Sequence, residues 1–361
     1  MWKIPAVIQK ERRKETVKKK LTNFPATPPS PLPSLPRMSV NQPLQNGWTP
    51  LLLSCWSGDT AATLNLLCDP DVDPNKQIRG VPPLYLACFQ GHEAIVRALL
   101  AHPLIQVNLA ETSGRSPLFV ACQKNRANLV EVLVKDPRVD VNQVKGSQAE
   151  TPLHIACDGG HTLVVKILLS HPLVNVNCVD VRGNTPLKYA CRRGNQQLVR
   201  LLLTHPALDV NLTKEGDFTA LFIAALRGHE LVVRELLRNR GIEVNKADRL
   251  GYTPLHVACQ ESHLPVVEEL LRDKRVRVNQ ATKAGVTPLL FLSQEGYVRV
   301  IELILALRKE VDTRATWDGK TAQDLAIQRG HVDVSFLLQD FEEDPDEVRF
   351  MLARKLFPGI F

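Results

Sequence analysis

A short motif ending in Leu, which reads Thr or Ser, then Pro, then Leu in six of its eight copies, returns along this 361-residue chain at nearly constant spacing. Consecutive copies of its leucine lie 33 to 35 residues apart. A period of this length indicates a solenoid, in which each repeat is one small unit that packs only against its neighbours. The chain is therefore predicted to be one repeat array and not two globular domains. The leucines are Leu51, Leu84, Leu118, Leu153, Leu187, Leu221, Leu255 and Leu289.

Each repeat has the pattern of a turn, a helix, a second turn and a second helix. Thr or Ser supplies a side-chain oxygen that caps the first helix, and the following Pro suits the first helical position, where an amide hydrogen has no partner. The first helix is short and is expected to end at a left-handed residue, which favours glycine. A second helix follows, with apolar residues at helical spacing such as Val232, Val233 and Leu236. The expected end residues are Gly58, Gly91, Asn125, Gly160, Gly194, Gly228, Ser262, Gly296 and Gly330, of which Ser262 fits least well.

The most regular copies read Thr-Pro-Leu-His, any residue, then Ala, at residues 151–156 and 253–258. Gly-His follows the first helix, and Val-Asn closes the repeat. This pattern resembles the ankyrin repeat family over residues 38–341, with about nine repeats. The resemblance implies an all-α repeat solenoid whose helix pairs carry β-hairpin fingers, with a concave face of first helices and a convex face of second helices. The ninth unit lacks the Pro and has Thr313 where Asn is expected.

The charge of the chain is concentrated at its N-terminus. The net charge is +7, and residues 1–40 contain nine Lys or Arg and two Glu, so the remaining 36 basic and 36 acidic residues cancel. Because the body is neutral, we do not expect it to bind nucleic acid. No run of 18 apolar residues and no secretory signal pattern is present, so neither a membrane partner nor secretion is expected.

Two tails flank the predicted array. Residues 1–37 contain basic clusters beginning at Arg12 and Lys18 and six prolines between residues 25 and 36. They hold too few apolar side chains to fold, so we predict a disordered tail. The basic clusters resemble nuclear import signals. We therefore expect a cytoplasmic protein, with nuclear targeting as the alternative.

The second tail, residues 342–361, is predicted to contain a helix that begins after Asp344. We expect this helix to cap the array by covering the apolar flank of the last repeat, and docking onto a partner is the alternative. The apolar residues predicted on its packed side are Val348, Met351, Leu352 and Leu356.

The reactive side chains follow the repeat. All ten histidines fall in three columns, meaning positions that recur in successive repeats, and this recurrence favours packing and hydrogen bonding between repeats. Six of the eight cysteines share one column of the first helix, where neighbouring repeats should lie too far apart for disulfides. We therefore expect buried reduced thiols and no catalytic residue, metal site, cofactor or small-molecule substrate. The column cysteines are Cys55, Cys88, Cys122, Cys157, Cys191 and Cys259.

A partner-binding surface is predicted from the resemblance, which implies contacts from the fingers and from the exposed ends of the first helices. Trp48, Trp56 and Phe89 place aromatic side chains in adjacent repeats, and aromatic residues and Arg are enriched in binding hot spots. The alternative for the aromatics is that they cap the end repeat. The predicted contact residues are Trp48, Trp56, Phe89, Arg115, Lys124, Arg192, Arg193, Arg227, Tyr252 and Gln260.

Basic residues define the remaining features of this surface. Arg192, Arg193 and Arg227 form a patch in the middle of the array, suited to an acidic segment of a partner, although a solvated face is the alternative. About one cation per finger turn would steer such a partner electrostatically. These cations are Arg79, Lys145, Arg182, Lys214, Arg249 and Lys283.

The sequence thus predicts a non-enzymatic scaffold or adaptor that binds a protein partner through the concave face and the fingers, and that is monomeric alone. The alternatives are a nuclear regulatory protein directed by the basic tail and an effector that captures host proteins. Fold alone does not decide among them.

Overall fold

The computed structural model describes residues 40–44, 47–214, 218–308 and 310–358, and the predicted tail of residues 1–37 lies outside them. Within these ranges nineteen α-helices follow one another, eighteen of them as nine pairs, and α19 (Pro345–Leu356) comes last. The first helices are α1 (Pro50–Ser57), α3 (Pro83–Gln90), α5 (Pro117–Gln123), α7 (Pro152–Gly159), α9 (Pro186–Arg193), α11 (Ala220–Leu226), α13 (Pro254–Gln260), α15 (Pro288–Glu295) and α17 (Ala322–Arg329). The second helices are α2 (Thr60–Leu67), α4 (Glu93–Ala101), α6 (Ala127–Val134), α8 (Thr162–Leu169), α10 (Gln196–Leu203), α12 (Glu230–Leu237), α14 (Leu264–Arg272), α16 (Val298–Leu307) and α18 (Val332–Glu343).

The first helices begin as the motif predicts. In eight of the nine, the side chain of the Thr or Ser before the helix accepts a hydrogen bond from the backbone amide three residues later. The exception is α3, where Pro82 occupies the cap position and makes no side-chain bond. In α7 and α13 a capping box forms, because His154 and His256 also bond back to the cap residue. Local sequence therefore fixes where the first helices begin.

Left-handed residues end the first helices at the predicted positions. The seven predicted glycines have φ between 70° and 98°, and Asn125 and Ser262 adopt φ of 56° and 54°. Ser262, the residue that fits least well by type, is held in the same conformation. At Gly194 a side chain would also collide with His229 of the next repeat, since an added Cβ would lie 2.6 Å from its ring. The glycine thus serves both the helix end and the contact between repeats.

The finger between consecutive pairs is a tight turn. Ile78 pairs with Val81 around Arg79 and Gly80, and Trp317 pairs with Lys320 across an equivalent two-residue turn. These are isolated bridges, and none of the described residues belongs to a longer strand. The predicted hairpin is therefore present as a turn, which a bridging pair of residues closes in three of the described fingers.

One continuous apolar core runs through all nine pairs. Residues 83–88 of α3 are all buried, because each first helix packs between the first helices of its two neighbours. The second helices bury only one side, as Val232, Val233 and Leu236 do on α12. This difference leaves the ends of the first helices, the finger turns and the outer side of the second helices accessible.

An asparagine ladder joins each repeat to the next. The side-chain amide of Asn142 donates to the carbonyl oxygen of Leu173 at 2.7 Å, and its side-chain oxygen accepts from the amide of Asn175 at 2.8 Å. Eight asparagines make this pair of bonds, and the ladder stops where Thr313 replaces Asn. The eight are Asn41, Asn75, Asn108, Asn142, Asn177, Asn211, Asn245 and Asn279.

The histidine columns also bond between repeats. Nε2 of His229 lies 3.1 Å from the carbonyl oxygen of Arg192, and Nε2 of His331 lies 3.1 Å from that of Gln294. The buried ring of His256 bonds through Nε2 to the carbonyl oxygen of Val286 in the following finger, at 3.3 Å. The prediction of hydrogen bonding between repeats is confirmed for these three histidines. In the third column it is wrong, because His102, His171 and His205 accept bonds from backbone amides two residues later in their own loops.

The last helix, α19, turns back after the ninth pair. It begins at the cap residue Asp344 and packs against the second helices α16 and α18. Val348 and Leu352 are buried there, but Met351, predicted on the packed side, is exposed because it lies about 100° around the helix from Leu352, beyond the edge of the packed stripe. The helix thus covers the outer side of the last two pairs.

We predict that Asn142→Ala lowers the free energy of unfolding by about 1–2 kcal/mol, because two hydrogen bonds to the next repeat are lost. Urea unfolding followed by circular dichroism measures the change. Asn128, which is exposed on α6, provides the matched control: Asn128→Ala should leave stability within about 0.5 kcal/mol. Equal effects of the two substitutions would contradict a role for the ladder.

His256 gives the array a pH dependence. Burial lowers its pKa from 6.5 to about 4, so between these values the unfolded chain binds a proton that the folded chain does not. The contribution of the neutral His256 ring to the free energy of unfolding is fully present above pH 6.5 and falls as the pH drops towards 4. Between pH 7.5 and pH 4.5 the free energy of unfolding should fall in both proteins. We expect it to fall by roughly 2–3 kcal/mol less in His256→Gln than in the parent, as measured by urea unfolding. Parallel pH profiles for the two proteins would refute this.

Candidate functional site

The predicted contact residues at the N-terminal end form an aromatic cluster. The rings of Trp48 and Trp56 meet edge to face with centroids 5.8 Å apart, and Phe89 stacks on Tyr85 at 6.4 Å. The ammonium group of Lys124 lies 4.3 Å from the centre of the Phe89 ring. Trp56, Phe89 and Lys124 are half-buried, so each keeps part of its side chain available to a partner.

Two of the predicted finger residues are not exposed fingertips. Trp48 is 5% exposed and Arg115 is 7% exposed. Trp48 packs under the finger against Trp56, and Nε of Arg115 bonds to the carboxylate of Glu111 at 2.9 Å. Although both residues were predicted to contact a partner from the fingers, their side chains turn inward onto the first helices and do not project from the fingertips.

The pairing of Arg115 also sets the charge state of Glu111. Burial by itself would raise the pKa of this carboxyl, but hydrogen bonds from Arg115 and Ser113 and the charge of Arg115 lower it to about 2. Glu111 is therefore ionised at neutral pH, and its charge neutralises that of Arg115. Arg115 contributes to the structure of the third finger, and its contact with a partner stays a prediction.

The central basic patch lies at the ends of α9 and α11. Arg193 is exposed and pairs with Asp158 of the preceding repeat at 3.2 Å. Arg192 is half-buried: it donates to the side-chain oxygen of Asn184 at 2.7 Å, and its guanidinium lies 5.0 Å from the centre of the Tyr189 ring. Arg227 is half-buried in the next repeat. The fold thus brings the three arginines to the same end of adjacent first helices, as predicted.

A buried polar network beneath this patch was missed from the sequence. The hydroxyl of Tyr189 lies 2.9 Å from a carboxylate oxygen of Asp180 and 3.3 Å from one of Glu150. Burial and these two charges raise the pKa of Tyr189, which stays protonated. The fully buried Lys188 donates to the carbonyl oxygen of Gly183 at 2.8 Å. The sequence does contain a signal of this network, because Lys188 and Tyr189 replace mainly apolar or histidine residues in their two columns.

His154 and Cys178 lie beside this network but do not form a reactive pair. Their Nδ1 and Sγ atoms are 3.5 Å apart, and both contact the hydroxyl of Thr151. Burial lowers the pKa of His154 and raises that of Cys178 to about 11, so neither group is ionised at pH 7. A thiol nucleophile needs a lowered pKa, so the pair provides no activated nucleophile.

The six column cysteines are buried as predicted, whereas Cys68, outside the column, is exposed. All six column cysteines are free and fully buried, and burial raises the pKa of Cys55 and of the others far above its usual value. Among the described residues, no group of three His, Cys, Asp or Glu side chains is placed to hold a metal ion. None of the helices that the structure describes is both long and apolar enough to cross a membrane.

The remaining predicted contacts lie in the second half of the array. Tyr252 is half-buried with its ring edge against His256 at 5.8 Å, and Gln260 is half-buried at the end of α13. They lie in the repeat that follows Arg227 and extend the predicted surface by one repeat, with Gln260 in the column of Arg192 and Tyr252 in the column of Arg115. Five of the six finger cations are exposed, and Lys145 is the exception because it pairs with Glu150 at 3.0 Å. The exposed five are Arg79, Arg182, Lys214, Arg249 and Lys283.

Comparison with known proteins agrees with the repeat pattern. A family model described as ankyrin repeats matches three segments, residues 51–145, 138–214 and 208–282. A search of curated proteins finds no match. The matched segments end at residue 282, and the helix pairs beyond that point continue the same period, so their assignment as repeats stays a prediction. Because the matches span more than half of a chain built as an all-α repeat solenoid, the chain belongs to the ankyrin repeat family.

Proposed function

We propose that this chain is a non-enzymatic scaffold or adaptor that binds a protein partner through the ends of its first helices and its finger turns. Ankyrin repeats are in general protein interaction modules, which supports the class of function. Repeat arrays present extended surfaces of this kind while each unit packs only on its neighbours.

A contrast between columns carries the proposal. The packing columns repeat the same residue types, such as the leucine after each Pro and the small residue or Cys near the helix end. The column at the C-terminal end of the first helices, eight residues after the cap residue, does not repeat: it holds Lys124 in the third unit, Arg193 in the fifth, Glu261 in the seventh and Glu295 in the eighth, and all four are accessible. Packing therefore does not dictate these residues, and partner recognition is the function that they support.

The partner is proposed to carry an acidic segment that binds the middle of the array. Arg192, Arg193 and Arg227 lie on adjacent first helices, and the exposed finger cations add positive charge beside them. Such an arrangement accelerates association with an anionic partner. The attraction weakens as the salt concentration rises, because the Debye length shortens.

Affinity capture with mass spectrometry tests this surface. The variant Arg193→Glu with Arg227→Glu should lose the partner, with affinity at least about tenfold weaker. The control Arg240→Glu with Lys274→Glu makes the same change in net charge at exposed positions after the second helices. Proteins kept by the parent and the control but lost from the variant would identify the partner. An identical set from all three, with unchanged thermal unfolding, would show that the central patch does not bind.

For location we propose the cytoplasm, with the basic clusters beginning at Arg12 and Lys18 as the reason to test the nucleus. These clusters lie outside the described residues. We expect a fluorescent fusion that lacks residues 1–37 to be distributed like the intact fusion if the protein works in the cytoplasm. Loss of nuclear signal only on deletion of the tail would instead favour the nuclear regulatory alternative.

A further inference from the structure

The flank of the last repeat carries three exposed apolar side chains. Ile327 is 60% exposed, Val332 is 58% exposed and Phe336 is 61% exposed. Ile327 lies in the cysteine column, where Cys259 and Ser293 in the two preceding repeats are fully buried by the repeat that follows them. The position is therefore a standard repeat contact, exposed here because no tenth helix pair follows among the described residues.

Phe336 lies in a second column that faces the next repeat. In the same column, Arg200 reaches Glu235 of the following repeat at 2.6 Å, and Arg234 reaches Glu269 at 2.8 Å. Seven of the nine described repeats have a charged residue there, the first has Leu64 and the last has an aromatic residue. Terminal repeats normally present a polar outer face, so Phe336 with Val332 one turn away indicates a face that another surface covers. The charged members are Arg97, Glu131, Lys166, Arg200, Arg234, Glu268 and Glu302.

The last helix does not cover this flank. α19 packs on α16 and α18, and Lys355 anchors it to Glu302 of α16 at 2.7 Å. It lies over the outer side of the array, so Ile327, Val332 and Phe336 keep their exposure even with α19 in place.

The structure also restricts what can cover this flank. A further repeat stacked in register would lack the two hydrogen bonds of the asparagine ladder, because Thr313 stands where the asparagine would be. The N-terminal end of another copy offers no matching apolar face, since residues 50–55 of α1 are all buried. The flank itself has both signs of charge at its edge: Arg329 ends α17 and Asp333 begins α18, and both are exposed without an ion pair among the described residues. A twofold axis would place each arginine against the aspartate of the other copy.

We propose that two copies of this chain associate through the flank formed by Ile327, Val332 and Phe336, with Arg329 and Asp333 pairing across the interface. The dimer buries the flank that the following repeat buries elsewhere in the array, but it does so against the same flank of the other copy. It revises the expectation of a monomer. We expect a weak dimer, with a Kd on the order of 10 µM.

Sedimentation velocity of the full chain over a range of concentrations tests the proposal. The parent should shift from one to two copies, and Phe336→Glu should raise the Kd at least about tenfold, since it buries an unpaired charge at the centre of the face. Leu163→Glu is the matched control, because Leu163 is 58% exposed on α8 and lies outside the flank. This control should dimerise like the parent.

A charge exchange separates the twofold arrangement from other contacts. Arg329→Asp alone and Asp333→Arg alone should each weaken the dimer, and the double variant should restore it. A parent that stays monomeric about tenfold above the expected Kd, or a dimer unaffected by Phe336→Glu, would overturn the proposal. A mass that keeps rising beyond two copies would indicate head-to-tail association and would overturn it as well. Partner capture by the central patch is independent of these outcomes.

Discussion

A single helix pair of this chain cannot bury both sides of its first helix, and the rest of the structure depends on that constraint. Residues 83–88 of α3 are buried because α1 lies on one side and α5 on the other. Stability is therefore shared between neighbours, as expected of an array in which each unit contacts only the adjacent ones. The constraint also makes the two ends different in kind from the middle. At the last repeat, Ile327 occupies a buried column, but no further helix pair packs on it in the part of the chain that the structure describes.

Apolar stacking has no direction, so polar groups set the spacing of the repeats. The asparagine ladder fixes each loop to the next through two short bonds, and the histidines fix the ends of the first helices. Their partners are backbone groups, which do not change with sequence. The same hydrogen bonds can therefore form in successive repeats, while accessible positions such as Lys124 and Arg193 vary without disturbing the stack. This separation lets one fold present a surface specific to its partner.

The sequence was sufficient for the features that depend on local chemistry or on the period. Capping by Thr or Ser, the left-handed helix ends and the buried cysteine column all follow from residues within one repeat. The burial of Trp48 and Arg115 did not follow, because it depends on which way a finger side chain turns in three dimensions. The network of Glu150, Asp180 and Tyr189 was also missed, since it joins side chains from two repeats.

The placement of α19 shows the same limit. Its helical pattern is clear from the sequence, and Val348 and Leu352 pack as predicted. Periodicity identifies an apolar stripe but not the surface that the stripe covers, so the contact with α16 and the exposure of Met351 required the structure. For the binding surface, the sequence indicated the columns, and the structure identified which of their residues are accessible.

The proposed function depends on recognition at the ends of the first helices in the middle of the array. Hydrogen exchange measured by mass spectrometry, on the chain alone and with its captured partner, tests this most directly because it reports on every backbone amide. We predict slower exchange on binding at the ends of α9 and α11 and in the adjacent finger turns. Slower exchange confined to the second helices, with α9 and α11 unchanged, would contradict the account.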